Sequence, residues 1–178
     1  MRASSLLLAA ALALSAQQAA FAQGLFDDSE ARRRIDTLRQ QMDANQRAID
    51  ERLAKIEATN AGADDAIMLD ATGHVAEATG MNLFVWKHET LHTPAVYAGL
   101  LRGVTRDTIL EIAIEAGYLV NETLLSRYDL YTAEEAFLTG TAAEVAPIRM
   151  VDGRIIGAGK AGPITRDLRT RFQQLVRR

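Results

Sequence analysis

The sequence predicts an α+β fold with a mixed or antiparallel sheet and flanking helices, preceded by one long polar helix. Three observations carry this expectation. Ala31 to Ala58 contains neither Gly nor Pro, and its apolar residues recur at heptad spacing. At Asn60-Ala61-Gly62 that pattern stops. Beyond it, short apolar runs bounded by glycine turns alternate with three helical stretches. The 178 residues are 48% apolar with a mean hydropathy of −0.04, which suits a foldable chain rather than a disordered one.

The first 22 residues carry one charge, Arg2. Leu6 to Leu14 is an apolar core of signal-peptide length, and Ala20-Phe21-Ala22 is a small-x-small cleavage site. An export signal over 1–22 is therefore expected, cleaved after Ala22 to leave a periplasmic or secreted chain starting at Gln23. A buried N-terminal helix is the alternative. There is no cysteine, which excludes disulfides, a thiol nucleophile, an iron–sulfur cluster and a lipoprotein-type anchor. Residues 23–60 hold 7 basic and 8 acidic side chains, and 61–178 hold 12 and 15, so nothing suggests a nucleic-acid footprint. No membrane span is expected after signal cleavage.

Residues 23–58 read as a heptad coiled-coil helix. Asp27, Asp28 and Ser29 are candidate caps. Ile35, Leu38, Met42, Ile49 and Ile56 lie at spacings of 3, 4, 7 and 7, with Asn45 and Arg52 in the remaining seam positions and Leu53 beside it. So narrow a stripe is expected to associate with copies of itself; the alternative is one amphipathic helix packing on the C-terminal region. The stretch GLFDDSEARRRIDTLRQQMDANQRAIDERL, with the leader before it, resembles the signal and trimerising coiled coil of the periplasmic TolA-binding, cell-division coordinator family. That family continues into tetratricopeptide repeats, which are not found in this sequence. An oligomerising adaptor role is what the resemblance implies.

After Gly62, Ala66–Asp70 and His74–Glu77 read as strands around an Ala71-Thr72-Gly73 turn. Asn82–Trp86 and Thr90–Thr93 form a second hairpin around Lys87-His88-Glu89. Thr105–Ala116 is an amphipathic helix with Ile109, Ile112, Ala113 and Ala116 on one face, Thr105 as its N-cap and Gly117 as its stop. Tyr118–Leu124 is a strand. Ser126-Arg127-Tyr128-Asp129 has the form of a capping box. Ala136–Leu138 and Ala146–Val151 are strands, Asp152-Gly153 is a hairpin turn, and Pro163–Val176 is a closing helix with proline in its first turn.

Two turns and one carboxylate suggest chemistry. Leu101-Arg102-Gly103-Val104-Thr105 sets a glycine turn before a helix N-terminus, whose free N–H groups suit a phosphate. Thr139-Gly140-Thr141-Ala142 is a second small, hydroxyl-rich turn. Glu77 ends a strand in the small polar context AEATG. Each alone reads better as an ordinary cap, turn or solvated carboxylate. His88 and His92 have i, i+4 spacing, but on a hairpin this does not make a metal pair, and no metal site is expected.

DDAIMLDATGHVAEATGMNLFV, LLRGVTRDTILEIAIEAG and LYTAEEAFLTGTAAEVAPIRMVDGRIIGAGKAGPIT resemble, in order and spacing, the C-terminal part of class IV, fold-type IV pyridoxal-phosphate aminotransferases, with the branched-chain amino acid aminotransferases as the nearest branch. The resemblance covers about 53–178 and implies a partial aminotransferase domain over 59–178. It further implies that Glu77 pairs with the pyridine nitrogen of pyridoxal 5′-phosphate, that Leu101 packs against the ring, and that Val104, Thr105 and Thr141 hold the phosphate. The Thr141–Ala142 turn would meet the substrate carboxylate. Arg102 stands where the family usually has Pro, and Met81 where it often has Glu.

The family's Schiff-base lysine would fall about 30–35 residues before Glu77, near Asp43–Ala44, where this sequence has none. The three lysines are Lys55, in a LAKIEA stretch like one that follows the family's lysine, Lys87 at a hairpin tip and Lys160 in a GAGKAG loop; each reads as a solvated surface group. The family's N-terminal domain has no counterpart here. The expectation is a fused or truncated chain, joined near Leu53–Glu57, with half a cofactor site, no catalytic lysine and no normal activity. It would expose apolar surface for a missing domain or dimer partner, and it would be cytoplasmic if its aminotransferase origin prevails over the leader.

Overall fold

The computed structural model describes residues 28–177. The expected signal peptide and the first residues of the 23–58 helix lie outside this range. The described chain divides into two units inside its first helix, with the boundary between Ile49 and Asp50.

Helix α1 spans Asp28–Asn60, running unbroken through the expected junction. In the first unit its apolar stripe is exposed: Ile35 by 47%, Leu38 by 58%, Met42 by 70% and Ile49 by 57%. Glu30–Arg34 at 2.6 Å and Asp36–Arg39 at 3.9 Å are surface ion pairs along the helix, worth a few tenths of a kcal/mol each (~0.3–0.5).

In the second unit α1 ends as the sequence predicts, two residues past Ala58. The Gly62 N–H donates to the Thr59 carbonyl at 3.0 Å and the Ala63 N–H to the Ala58 carbonyl at 2.8 Å. Gly62 at φ 76° takes the left-handed conformation that this pair of hydrogen bonds requires.

The strands are β1 Ile67–Leu69, β2 Val75–Ala78, β3 Asn82–Lys87, β4 Thr90–Pro94, β5 Leu119–Thr123, β6 Glu135–Gly140, β7 Glu144–Pro147, β8 Met150–Val151 and β9 Arg154–Ile155. The helices are α2 Val104–Glu115, α3 Arg127–Tyr131 and α4 Pro163–Val176. Five strands form one sheet in the order β5-β4-β3-β6-β7; β4 and β5 are parallel and the other pairs antiparallel, so the sheet is mixed as expected. The β1–β2 and β8–β9 pairs stand beside it.

Central β3 is buried on both faces, which is why NLFVW reads as a continuous apolar run. Phe84 joins Leu91, Ile109, Ala113, Phe137, Leu168 and Phe172 under α2 and α4, stacking on Phe137 at 5.1 Å. Leu83 and Val85 face the other way, with Val75, Leu125, Leu130 and Ile156.

Several boundaries differ from expectation. The N-cap of α2 is Gly103, not Thr105, and it makes no side-chain cap bond. The helix ends at Glu115, which leaves Ala116 as its C-cap rather than a member of its buried face. Thr139 and Gly140 belong to β6 rather than to a turn, because they pair with Asn82 of β3 and with Val145 and Glu144 of β7; ladder pairing on both sides overrides their turn composition. The expected Ala146–Val151 strand is split, since Pro147 ends the edge strand β7 and the chain leaves the main sheet there. Lys87 is not a solvated tip. It ends β3 with its side chain 16% exposed, donating to Thr132 Oγ1 at 2.8 Å and Asp129 at 3.3 Å. The two-residue turn is His88-Glu89, both residues left-handed at φ 49° and 56°.

Candidate active site

One cleft of about 160 Å³ opens at the end of the sheet where β3 begins and β6 finishes. Its lining comes from the second unit alone: Glu77 and Ala78 of β2, Asn82 of β3, Leu101, Gly103, Val104 and Thr105 before and in α2, and Thr139, Gly140 and Thr141 at the close of β6. Of the residues the sequence nominates, Glu77, Leu101, Val104, Thr105 and Thr141 all reach this cleft. Ala142 does not; it lies exposed in the turn beyond.

Why these segments converge is a matter of local chemistry. Glu77 sits inside β2, one residue before its end, next to a tight turn in which the Ala78 N–H donates to the Met81 carbonyl at 2.8 Å. The turn reverses the chain so that β2 and β3 both present their ends to the cleft. Glu77 Oε1 accepts from the Leu101 N–H at 3.0 Å, and Oε2 from Asn82 Nδ2 at 3.2 Å. The same amide nitrogen donates to the Leu101 carbonyl at 2.7 Å. Asn82, 6% exposed, was missed in the sequence; its only signal there is one polar residue opening an apolar strand.

The other wall is the N-terminus of α2. Gly103 offers no side-chain oxygen, so the first N–H groups of the helix are left without a side-chain cap. They carry the positive end of the helix dipole. A Cβ on Gly103 would stand 2.2 Å from Asn82 Oδ1, so only glycine allows this approach. Val104 is 83% exposed and Leu101 72%, presenting apolar side chains beside the opening, while Thr105 is buried. Thr139 contributes a buried hydroxyl with no hydrogen-bond partner.

Among the described residues no lysine, arginine or histidine lines the cleft, whereas Glu51 and Glu77 both do. Glu51 comes from the last part of α1 and has no counterpart among the nominated residues. Arg106, next to Thr105, is 1% exposed and turned away, bonded to the Pro94 carbonyl at 3.0 Å and Glu122 at 2.6 Å. Arg102 pairs with Asp107 at 2.8 Å. Lys55 donates to the Asp64 carbonyl and lies 3.4 Å from Asp65, and Lys160 is exposed in its loop. Among the described residues no three metal-binding side chains cluster, and no helix is long and apolar enough to cross a membrane. His88 and His92 fall on a turn and on β4.

Comparison with known proteins bears on this arrangement. The family "Amino-transferase class IV" matches residues 6–151. A branched-chain-amino-acid aminotransferase of Pseudomonas aeruginosa is 51% identical over 128 residues, 72% of this chain and 41% of that protein. A putative enzyme of the same name from Methanocaldococcus jannaschii is 47% identical over 123 residues, 69% of this chain and 43% of that one. Among solved structures, the branched-chain amino acid aminotransferase from Thermobaculum terrenum in its PLP form superposes with a TM-score of 0.71 at 40% identity, covering 72% of this chain and 42% of that one. The Escherichia coli enzyme gives 0.71 at 41%, over 72% and 43%. The chain thus spans about two fifths of the length of the relatives it matches. With the family matched over residues 6–151 and relatives at 47% and 51% identity, the chain belongs to the class IV aminotransferases.

Proposed function

We propose that residues 59–178 form the cofactor-holding part of a branched-chain amino acid aminotransferase, with pyridoxal 5′-phosphate in the cleft. The observation that carries this reading is the convergence of Glu77, Leu101, Val104, Thr105 and Thr141 on one opening. The residues fit the group at two points. The α2 N-terminus meets a phosphate with unused N–H groups, and Glu77 meets a ring nitrogen with a carboxylate held by two donors. When bound, the group supplies a protonated pyridine ring that withdraws electrons from a substrate α-carbon.

Glu77 holds the proton at the ring nitrogen. Leu101 packs on the ring, and Val104, Thr105 and Thr141 anchor the phosphate. Thr141 offers its backbone N–H toward a substrate carboxylate. Amino transfer from a branched-chain amino acid to a 2-oxo acid also needs an amine that moves the substrate proton. None of Lys55, Lys87 and Lys160 lines the cleft, so the described residues supply the binding half of the chemistry and not that amine. The reading is that this chain holds the cofactor without completing turnover.

Pyridoxamine 5′-phosphate tests it directly, because its binding needs no lysine. Saturable binding at one site, weakened at least about tenfold in Glu77→Gln, is the expected result, as for loss of a charge-assisted bond. Borohydride reduction with the aldehyde form, followed by peptide mapping, checks the amine; a specific adduct on Lys55 with turnover would overturn the inactive reading.

The exposed seam of Ile35, Leu38, Met42 and Ile49 supports a second proposal, that residues 23–58 self-associate as an oligomerising, adaptor-like helix. Sedimentation of the full chain beside a Leu38→Asp, Met42→Asp variant distinguishes the cases: concentration-dependent oligomers lost in the variant support it, and a monomeric native chain rejects it. Export follows if the cellular protein starts at Gln23 in the periplasm; an unprocessed start places the chain in the cytoplasm.

A further inference from the structure

Asn82 has no role assigned by the proposed cofactor contacts, yet it touches three of the segments that would make them. It opens β3 and is 6% exposed, so its amide is desolvated and must find partners within the protein. Nδ2 donates to Glu77 Oε2 at 3.2 Å and to the Leu101 carbonyl at 2.7 Å. Leu101 returns its N–H to Glu77 Oε1 at 3.0 Å, closing a ring of three hydrogen bonds. Oδ1 faces the Cα of Gly103, where a methyl group would come within 2.2 Å. One side chain thus meets the strand carrying Glu77, the Leu101 peptide and the residue preceding the α2 N-terminus.

We propose that Asn82 is the positioning residue of the cleft, setting the Glu77 carboxylate, the Leu101 side chain and the α2 N-terminus at fixed separations before any ligand arrives. This rests on the cofactor reading above. The Glu77 carboxylate is held at both oxygens, Oε1 by the Leu101 N–H and Oε2 by Asn82 Nδ2. Both polar groups of the Leu101 peptide are consumed by the ring, so its exposed side chain is carried on an anchored backbone. Without the amide, Glu77 Oε2 and the Leu101 carbonyl each lose the bond from Nδ2. Of the ring, only the Leu101 N–H to Glu77 Oε1 bond then remains.

The test is the full chain as native protein, Asn82→Ala and Thr93→Val. Thr93 is a fair control: it is fully buried on neighbouring β4, its hydroxyl donates to the Leu83 carbonyl at 2.8 Å, and it does not line the cleft. Two quantities are read, the dissociation constant of pyridoxamine 5′-phosphate and the amide hydrogen exchange of residues 101–105 in the ligand-free chain. Asn82→Ala is expected to weaken binding and speed that exchange by about tenfold each, the equivalent of one buried hydrogen bond. Thr93→Val lowers the unfolding midpoint but leaves both within about twofold, since it removes a bond away from the cleft. Equal behaviour of the two variants, or native-like values in Asn82→Ala, overturns the inference. A native chain that does not bind overturns the cofactor reading and the positioning role with it, whereas native binding with an unchanged variant overturns the positioning role alone.

Discussion

Helices α2 and α4 begin in nearly the same way and end up with opposite chemistry. Each has a glycine N-cap with extended backbone, Gly103 at φ −83° and Gly162 at φ −84°, and neither glycine can cap its own helix. Each glycine is crowded by a side chain at one end of the β3–β6 pair, Asn82 against Gly103 and Glu135 against Gly162. At α4 the neighbour is a carboxylate. Glu135 accepts from the Ile164 N–H at 3.1 Å, the Thr165 N–H at 2.9 Å and the Thr165 hydroxyl at 2.6 Å. That N-terminus is closed by the protein's own anion. At α2 the neighbour is a neutral amide that spends both its hydrogens elsewhere, so the positive end of the helix stays open to the cleft. An open helix start becomes an anion site when the fold withholds the carboxylate that would normally close it.

The largest effect should come from breaking the closed end. Glu135→Ala strands two N–H groups and a buried hydroxyl, and urea unfolding should show a loss of about 3 kcal/mol. Gly103→Ala attacks the open end. Its methyl group would force Asn82 or α2 to move, costing about 2 kcal/mol by overpacking and abolishing pyridoxamine 5′-phosphate binding.

Helix α3 gives an intermediate case. The Asp129 N–H donates to Ser126 Oγ at 3.2 Å, and Asp129 Oδ2 accepts from the Ser126 N–H at 3.1 Å. Ser126→Ala should cost about 1 kcal/mol. This cap is also pH-dependent. The Ser126 hydroxyl, followed by its N–H and Lys87, holds the Asp129 carboxyl below its ordinary value of 3.8, against an opposing contribution from burial. A depressed carboxylate stabilises the fold above its unfolded-state value, and that contribution fades as pH falls through the lower folded value. Unfolding curves between neutrality and acid should therefore show a smaller acid loss in Ser126→Ala than in the native chain. The smallest effect concerns the sign of charge at the open end. Glu51→Gln removes one of two carboxylates on the cleft and should tighten phosphate binding about two- to threefold, as expected for a partly solvated charge; weaker binding would mean that Glu51 makes a contact of its own.

The same three helix starts show how far the residues alone could be read. The Ser126–Asp129 box was legible because both partners lie within one turn. The Thr105 cap was misread because a threonine before an apolar run is a sound local signal, and nothing nearby reveals that Asn82, more than twenty positions earlier, crowds the preceding glycine. The Glu135 cap was invisible for the same reason, its partners lying about thirty residues downstream. Among cleft residues, Glu77, Leu101, Val104, Thr105 and Thr141 were legible because they lie in whole segments that resemble a known family. Asn82 and Glu51 did not, since each belongs to a pattern, an apolar strand and a polar helix, that explains it without reference to the cleft. Lys87 was misjudged at its hairpin tip because Asp129 and Thr132 reach it from a different element.

Periodicity, turn glycines and the capping box were decided by residues within a few positions of one another, where backbone geometry alone brings the groups together. So were the α+β class and the change of character at Gly62. The cleft, the closed start of α4, the open start of α2 and the hydrogen-bonded ring around Asn82 were decided only when the sheet aligned strand ends far apart in the chain. Those contacts depend on desolvation and on distances of about 3 Å between distant segments, and no local pattern encodes either.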